Sequence, residues 1–221
     1  MQEGAPSLDP DRILALSYVS SSRRSAVTAL WQMDAALGAV LTGGREPAIS
    51  QIKLAWWREA LEALDRGPAP SQPILQALER KVLPLGISGA EMAAIEEGWA
   101  ILLTQTALEA SELQSYASAR GAALFALTAR MLGVEAAPAH LQAGEGWALS
   151  DLARHSGEPD AEAARECAKD KFTESAWPRA LRPLGMLAIL AERDVLRGSD
   201  IEIQGAPARI FRMFRHRLTG R

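Results

Sequence analysis

Apolar residues recur along this chain at intervals of three and four residues, which is the spacing of one face of an α-helix. The pattern predicts helices that begin at a capping residue or a proline and end at a glycine or a proline. The predicted helices cover about residues 10–19, 22–41, 47–64, 74–82, 88 onward, 105–132, 138–155, 159 onward, 179–197 and 206 onward. In Asp200–Gln204 apolar and polar residues alternate as in a β-strand, but this segment is too short to outweigh the helical pattern of the rest of the chain. The pattern predicts an all-α domain of roughly eight to ten helices, with a functional site between helices.

The helix predicted over residues 47–64 carries two apolar stripes. One stripe contains Ile49, Ile52, Trp56, Ala60 and Ala63, and the other contains Leu54, Trp57, Leu61 and Leu64. A helix that is apolar over more than half of its girth is expected to be buried on two sides. We therefore expect Trp56 and Trp57 to be structural, and contact between one of them and a ligand is the alternative.

The last predicted helix, within residues 206–221, is basic and amphipathic. Its arginines are Arg209, Arg212, Arg215, Arg217 and Arg221, and its apolar residues are Ile210, Phe211, Met213, Phe214 and Leu218. No acidic residue follows Glu202. Such a helix suits an anionic membrane surface or an acidic partner. A terminal helix packed on the domain, with solvated arginines, is an equal alternative.

Composition narrows the class of protein. A length of 221 residues fits one large domain or two small ones, and the continuous helical pattern favours one domain over residues 1–221. The net charge of -3 argues against a nucleic-acid partner. The single cysteine, Cys167, excludes an internal disulfide and favours a reducing compartment. With no apolar run near ~18 residues and no secretory signal pattern, we expect a cytoplasmic protein, with membrane association through residues 206–221 as the alternative.

Most generic catalytic motifs are missing. The histidines His140, His155 and His216 do not pair with other ligand residues at zinc spacing. Cys167 has no histidine near it in the sequence that would lower its pKa. Carboxylate pairs at helical spacing are flanked by polar residues, which is typical of a solvated helix face.

Asp34 differs from the other carboxylates because it falls on or beside the apolar stripe of its helix. A buried carboxylate without a partner is costly, so this residue is expected to have a partner or to face a cavity. An ion pair with Arg23, Arg24 or Arg58 is the simplest expectation.

Four segments resemble the squalene/phytoene synthase family, in the same order and at similar spacing. They are Ala29–Asp34 (ALWQMD), Gln51–Leu61 (QIKLAWWREAL), Tyr116–Gly133 (YASARGAALFALTARMLG) and Gly144–Gly157 (GEGWALSDLARHSG). The resemblance extends from about Asp9 to Arg221. It implies an isoprenoid-synthase-type helical bundle. Enzymes of this family condense two isoprenyl diphosphates head to head, with magnesium held by two aspartate-rich motifs on facing helices.

The chain departs from the family at both aspartate-rich motifs. The resemblance places the motif positions at Gly38, Ala39 and Thr42 on the first helix, and at His155, Glu158 and Pro159 on the second. Glu158 keeps a carboxylate, and Asp160 lies one position late. In this respect the chain looks most like the branch that includes the mitochondrial complex I assembly factor, which lacks the acidic motifs.

Two functions follow from this resemblance. The first is a non-catalytic pseudoenzyme without a cofactor, acting as an assembly or scaffold protein with a protein partner, or as a lipid- or isoprenoid-binding protein. The alternative is a divergent prenyltransferase of isoprenoid or carotenoid biosynthesis. Its magnesium ligands would come from Asp34, Asp151, Glu158 and Asp160, and Arg154 would bind the diphosphate.

Overall fold

The computed structural model describes residues 7–43, 46–103 and 107–220, and every regular element within these ranges is helical. The α-helices are α1 (Pro10–Ser17), α2 (Ser21–Gly43), α3 (Pro47–Ala63), α4 (Pro73–Lys81), α5 (Gly89–Ile101), α6 (Ala110–Tyr116), α7 (Ala123–Met131), α8 (Pro138–His155), α9 (Asp160–Ala168), α10 (Arg182–Arg197) and α11 (Pro207–Thr219). The prediction of an all-α fold is confirmed. None of the described helices is long and apolar enough to cross a bilayer.

Prolines and capping side chains start the helices largely as predicted. Pro10, Pro47, Pro73, Pro138 and Pro207 stand at the first positions of α1, α3, α4, α8 and α11. The first N–H groups of a helix have no partner within it, so proline loses nothing there. Ser88 and Glu91 form the predicted capping box at the start of α5.

The long helix predicted over residues 105–132 is confirmed from Ala110 to Met131, which are helical without a break, but it starts later than predicted and is not regular throughout. The helix begins at Ala110, and the first two residues of the predicted range lie outside the described residues. A π-helical turn, Ala117–Ala122, separates α6 from α7 and carries Arg120. A π-turn inserts a residue into the helical register, so the regular spacing of apolar residues does not reveal it.

Close contacts at glycines hold this π-turn against two neighbouring helices. A Cβ atom on Gly121 would lie 2.2 Å from the carbonyl oxygen of Gly144 in α8. A Cβ atom on Gly98 in α5 would lie 3.1 Å from the Cβ of Arg120. Side chains at these glycines would push the helices apart. The glycines therefore allow Arg120 to lie between α5 and α8.

The core contains a cluster of aromatic residues in which Trp31 is fully buried. The Trp31 ring centroid lies 5.0 Å from that of Trp147, in an edge-on contact. Its Nε1–H donates a hydrogen bond of 3.1 Å to the hydroxyl of Thr128. The one polar atom of this buried indole is thereby satisfied, which links α2 to α7 and α8.

Only one of the two apolar stripes of α3 is buried, which corrects the expectation for this helix. Leu54, Trp57 and Leu61 are buried, whereas Ile49 and Ile52 are exposed. Trp57 is 7% exposed and Trp56 is 46% exposed, with their rings in edge-on contact at 5.4 Å. Helix α3 packs against α5 and α2 on one side and has no comparable neighbour among the described residues on the other.

The two tryptophans of α3 should differ in their effect on stability. We expect Trp57→Ala to lower the free energy of unfolding by ~3–5 kcal/mol, because it empties a buried site. Trp56→Ala should cost about 1 kcal/mol, because the ring is half exposed. Urea denaturation of both variants measures the difference. Equal losses would contradict the assignment of Trp57 as the buried member of the pair.

Candidate functional site

A cavity of about 500 Å³ opens beside α2 and α8, and we call it the α2–α8 cavity. It is lined by Ser7, Arg12, Ala35, Gly38, Ala39, Leu41, Thr42, Trp99, Leu102, Leu108, Tyr116, Arg120, Asp151, Leu152, His155, Ser156 and Asp160. Its volume is in the range of small-molecule sites, roughly 300–1,000 Å³. Many of the lining side chains are small or apolar.

The cavity coincides with the positions where the family resemblance places the aspartate-rich motifs. Gly38, Ala39 and Thr42 lie on its α2 wall, and His155 lies on its α8 wall. Facing helices therefore present these positions to one space, as the resemblance implies. The side chains at these four positions carry no carboxylate.

Trp99 of α5 occupies the space beside Gly38. A Cβ atom on Gly38 would lie 2.7 Å from Cη2 of the indole, too close for an unshifted ring. The indole Nε1–H donates to Asp34 Oδ1 at 2.9 Å. The ring centroid lies 4.0 Å from the guanidinium carbon of Arg120, a cation–π contact. Trp99 thus takes the volume into which a side chain at position 38 would project.

Arg120 is fully buried on the π-turn and contributes to the wall of the cavity. Its Nε and Nη2 donate to the two carboxylate oxygens of Asp34, both at 2.9 Å. Its Nη2 also lies 2.8 Å from Asp151 Oδ2. Its Nη1 donates to the hydroxyl of Tyr116. Four of the five N–H donors of this guanidinium are therefore bound to protein groups, and two of them hold Asp34 in the forked geometry that arginine offers to carboxylates.

Asp151 connects this guanidinium to the N-terminal helix α1. Asp151 Oδ1 accepts from Arg12 Nη2 at 2.6 Å. Arg12 Nε in turn lies 2.8 Å from Asp9 Oδ2. We call Asp9, Arg12, Asp34, Arg120 and Asp151 the Arg120 cluster. It ties α1, α2, the π-turn and α8 together.

Charges within the Arg120 cluster nearly cancel. Three carboxylates surround two guanidinium groups, so the formal charges leave one net negative charge. Burial alone would raise the pKa of Asp151, but Arg12 and Arg120 outweigh it and hold that pKa well below its usual range. Burial raises the pKa of Tyr116, so its hydroxyl stays neutral. The cluster offers no excess positive charge to an anionic ligand.

The structure brings Asp34 and Asp151 together on Arg120, places Asp160 on the same cavity as Asp151, and leaves Glu158 apart from them. Asp151 and Asp160 line the cavity, and Asp160 Oδ1 accepts from the backbone N–H of Leu108 at 3.0 Å. Asp34 is fully buried in its contacts with Arg120 and Trp99. The expected ion pair of Asp34 is confirmed, but its partner is Arg120 and not one of the three arginines named from the sequence. Glu158 lies at the surface, where it pairs with Arg165.

Arg154, the candidate for binding a diphosphate, does not line the α2–α8 cavity. Its Nη2 donates to Asp194 at 2.6 Å and its Nη1 to the backbone oxygen of Glu202 at 3.1 Å. Asp194 also binds Arg209 of α11. The space beside this network measures about 30 Å³, far less than the α2–α8 cavity.

Magnesium, which the family resemblance implies, does not fit the donor set of this cavity. Mg²⁺ prefers carboxylate oxygens at octahedral geometry, together with phosphate oxygens and water. Asp34 and Asp151 already bind guanidinium groups. Over residues 7–43, 46–103 and 107–220, no three acidic, histidine or cysteine side chains are placed to hold a metal ion.

Sequence reasoning missed Arg12, Trp99 and Arg120, which define the site. The sequence does contain a signal for Arg120. This arginine precedes Gly121 within the largely apolar segment Tyr116–Gly133, where a charged side chain would be buried. Trp99 had none, since an aromatic residue on an apolar helix is usually part of the core.

Removing Arg120 should destabilise the fold strongly. We expect Arg120→Met to lower the free energy of unfolding by ~3–5 kcal/mol, because Asp34 is then left buried without its partner. Adding Asp34→Asn should recover part of this loss. Urea denaturation of the two single variants and the double variant gives the coupling energy. As a control, Arg130→Met removes a half-exposed pair with Glu91 and should cost less than about 1 kcal/mol. Additive losses for Arg120 and Asp34 would contradict the pairing.

The contribution of Asp151 to the free energy of unfolding should decrease at low pH and stay constant at neutral pH. Its pKa is lower in the folded protein than in the unfolded chain, so its stabilisation is complete above the unfolded value of about 4. It is lost as pH falls from there through the folded pKa. The difference in unfolding free energy between the natural chain and Asp151→Asn should be constant from pH 7 to about pH 5 and shrink below about pH 4. A difference that shrinks on raising the pH would contradict this assignment.

Comparison with known proteins gives one significant match. The family model for squalene/phytoene synthase matches residues 6–167, more than half of the chain. The matched segment contains the whole Arg120 cluster and every residue that lines the α2–α8 cavity. No curated protein and no solved structure matches the chain significantly. The chain belongs to the squalene/phytoene synthase family.

Proposed function

We propose that this chain is a non-catalytic member of its family that binds the apolar chain of a lipid or isoprenoid in the α2–α8 cavity, without a metal cofactor. The observation that carries the proposal is the arrangement of Asp34, Arg120 and Trp99. A carboxylate that could face the cavity instead binds a buried guanidinium, and an indole fills the space beside position 38.

Charge is the main argument against turnover. Ionising an allylic diphosphate requires the developing negative charge of the leaving group to be neutralised. Arg12 and Arg120 are the cations closest to the cavity, and both are bound to carboxylates. Breaking these ion pairs to receive a diphosphate would leave Asp34 and Asp151 uncompensated in a buried site, at a cost of several kcal/mol.

The walls of the cavity favour an apolar ligand. Ala35, Leu41, Leu102, Leu108 and Leu152 line it. Burying a hydrocarbon chain against such side chains stabilises a complex by ~0.8 kcal/mol per methylene group, and it requires no charged partner. A cavity of about 500 Å³ accommodates a chain of moderate length.

A scaffold function is the second candidate, and a different observation favours it. Ile49, Ile52 and Trp56 form an exposed apolar stripe along α3. Contiguous exposed apolar side chains at helical spacing are typical of a protein–protein contact. A scaffold function is also what the resemblance to the family branch without acidic motifs implies, because that branch includes an assembly factor. It does not require a ligand in the cavity.

The prenyltransferase alternative rests on Asp151 and Asp160, which both line the cavity. It predicts magnesium-dependent condensation of farnesyl or geranylgeranyl diphosphate, whereas the proposal predicts no condensed product and no released pyrophosphate. Magnesium-dependent turnover by the natural chain that is lost in Asp160→Asn would overturn the proposal and establish the enzyme.

Ligand binding can be tested with farnesol and geranylgeraniol, which are neutral isoprenoid alcohols. We expect saturable binding, followed by tryptophan fluorescence because Trp99 lines the cavity. The corresponding diphosphates should bind no more tightly, with or without Mg²⁺. Ala39→Trp, which narrows the cavity, should weaken binding by roughly tenfold or more. Ala90→Trp places the same side chain at an exposed site on α5 and is the matched control.

The absence of saturable binding by either alcohol or by dispersed phospholipid would contradict the lipid-binding proposal and leave the scaffold function. Diphosphates that bind more tightly than the alcohols, with a further gain from Mg²⁺, would contradict the charge argument.

A further inference from the structure

Helix α11 presents an apolar ridge to solvent. Phe211 is 72% exposed, Phe214 is 43% exposed and Leu218 is 78% exposed. These residues are separated by three and four positions, so they lie on one face of the helix. An exposed ridge of this kind on the surface of a folded domain indicates a contact with another apolar phase.

The opposite face of α11 is fixed to the rest of the domain. Met213 and His216 are buried. Arg209 is also buried, and its Nε lies 2.8 Å from Asp11 while its Nη1 binds Asp194. One of the five arginines of the terminal segment is therefore structural, which corrects both alternatives for this helix, because each treated all five as solvent-facing. Because this face is anchored, the ridge cannot turn inward.

Free positive charge flanks the ridge. Arg215 is exposed and Arg212 is half-buried, and neither has an ion-pair partner among the described residues. Arg217 lies on the other flank, where its guanidinium carbon is 5.4 Å from the ring centroid of Tyr18. The groove beside the ridge contains one carboxylate, Glu192, so the balance of charge around the ridge stays positive.

We infer that α11 docks this domain onto an anionic membrane surface, with the ridge entering the headgroup region. A convex row of two phenylalanines and a leucine suits the boundary between headgroups and acyl chains. Arginines on both flanks reach lipid phosphates at the same depth, each contributing favourable electrostatic energy near an anionic leaflet. The excess of cationic side chains distinguishes this face from the stripe of Ile49, Ile52 and Trp56 on α3, beside which the exposed Lys53 and Glu59 carry opposite charges. This inference does not depend on the content of the α2–α8 cavity.

Flotation of the full chain with lipid vesicles tests the inference. We expect recovery with vesicles that contain phosphatidylcholine and phosphatidylglycerol, little recovery with phosphatidylcholine alone, and weaker binding as salt rises. Phe211→Ser with Leu218→Ser should lower the partition coefficient by roughly tenfold or more. Arg212→Gln with Arg215→Gln should abolish the preference for anionic vesicles. Both ridge side chains are exposed, so circular dichroism should show unchanged helix content.

Ile52→Ser is the matched control, because it removes an exposed apolar side chain from α3 and should leave flotation unchanged. Equal recovery with neutral and anionic vesicles would overturn the inference. A lack of binding to both kinds of vesicle would also overturn it, and would leave an acidic protein as the partner of the ridge. Equal loss in Ile52→Ser and in the ridge variant would also overturn it, because binding would then follow general surface apolarity.

Discussion

A buried guanidinium with nearly all of its donors bound to protein groups is the constraint on which the centre of this domain depends. Arg120 binds Asp34 of α2 and Asp151 of α8, and Trp99 of α5 covers its face. Removing such a cation from water is expensive, and only carboxylates held at hydrogen-bond distance offset the cost. The helices that supply them are therefore held in one arrangement, and the glycine contact at Gly121 allows the π-turn to reach it.

This arrangement also shows how a cavity can lie at the motif positions Gly38, Ala39, Thr42 and His155 although their side chains carry no carboxylate. In a magnesium-dependent synthase, inward carboxylates must stay free for the metal, and the bound metal and substrate compensate their mutual repulsion. Here Asp34 and Asp151 are compensated by arginines of the same chain. The two carboxylates therefore stabilise the fold through ion pairs and do not present free charge to the cavity.

The sequence predicted local structure well, because helix starts and stops are encoded by nearby residues such as Pro138 and Ser88. It did not predict the partner of Asp34, because Arg120 lies 86 residues further along the chain and on a π-turn that breaks the helical spacing. It also failed at Trp56, because both stripes of α3 are apolar and only tertiary packing decides which one is buried. The positions of the aspartate-rich motifs were predictable, because the family resemblance alone places Gly38 and His155 on the cavity.

Trp99 adds a reason why the lost motif and the present fold support each other. An aspartate at position 38 would need the volume of the indole, and moving the indole would remove the N–H donor of Asp34 and the ring over Arg120. The new carboxylate would then bring another negative charge beside a cluster that already carries a net negative charge, without a free cation to meet it. Restoring one motif residue is therefore unfavourable unless the indole, the arginine and the other aspartates change together. The absence of an acidic side chain at position 38 is therefore matched by the packing of the core around it.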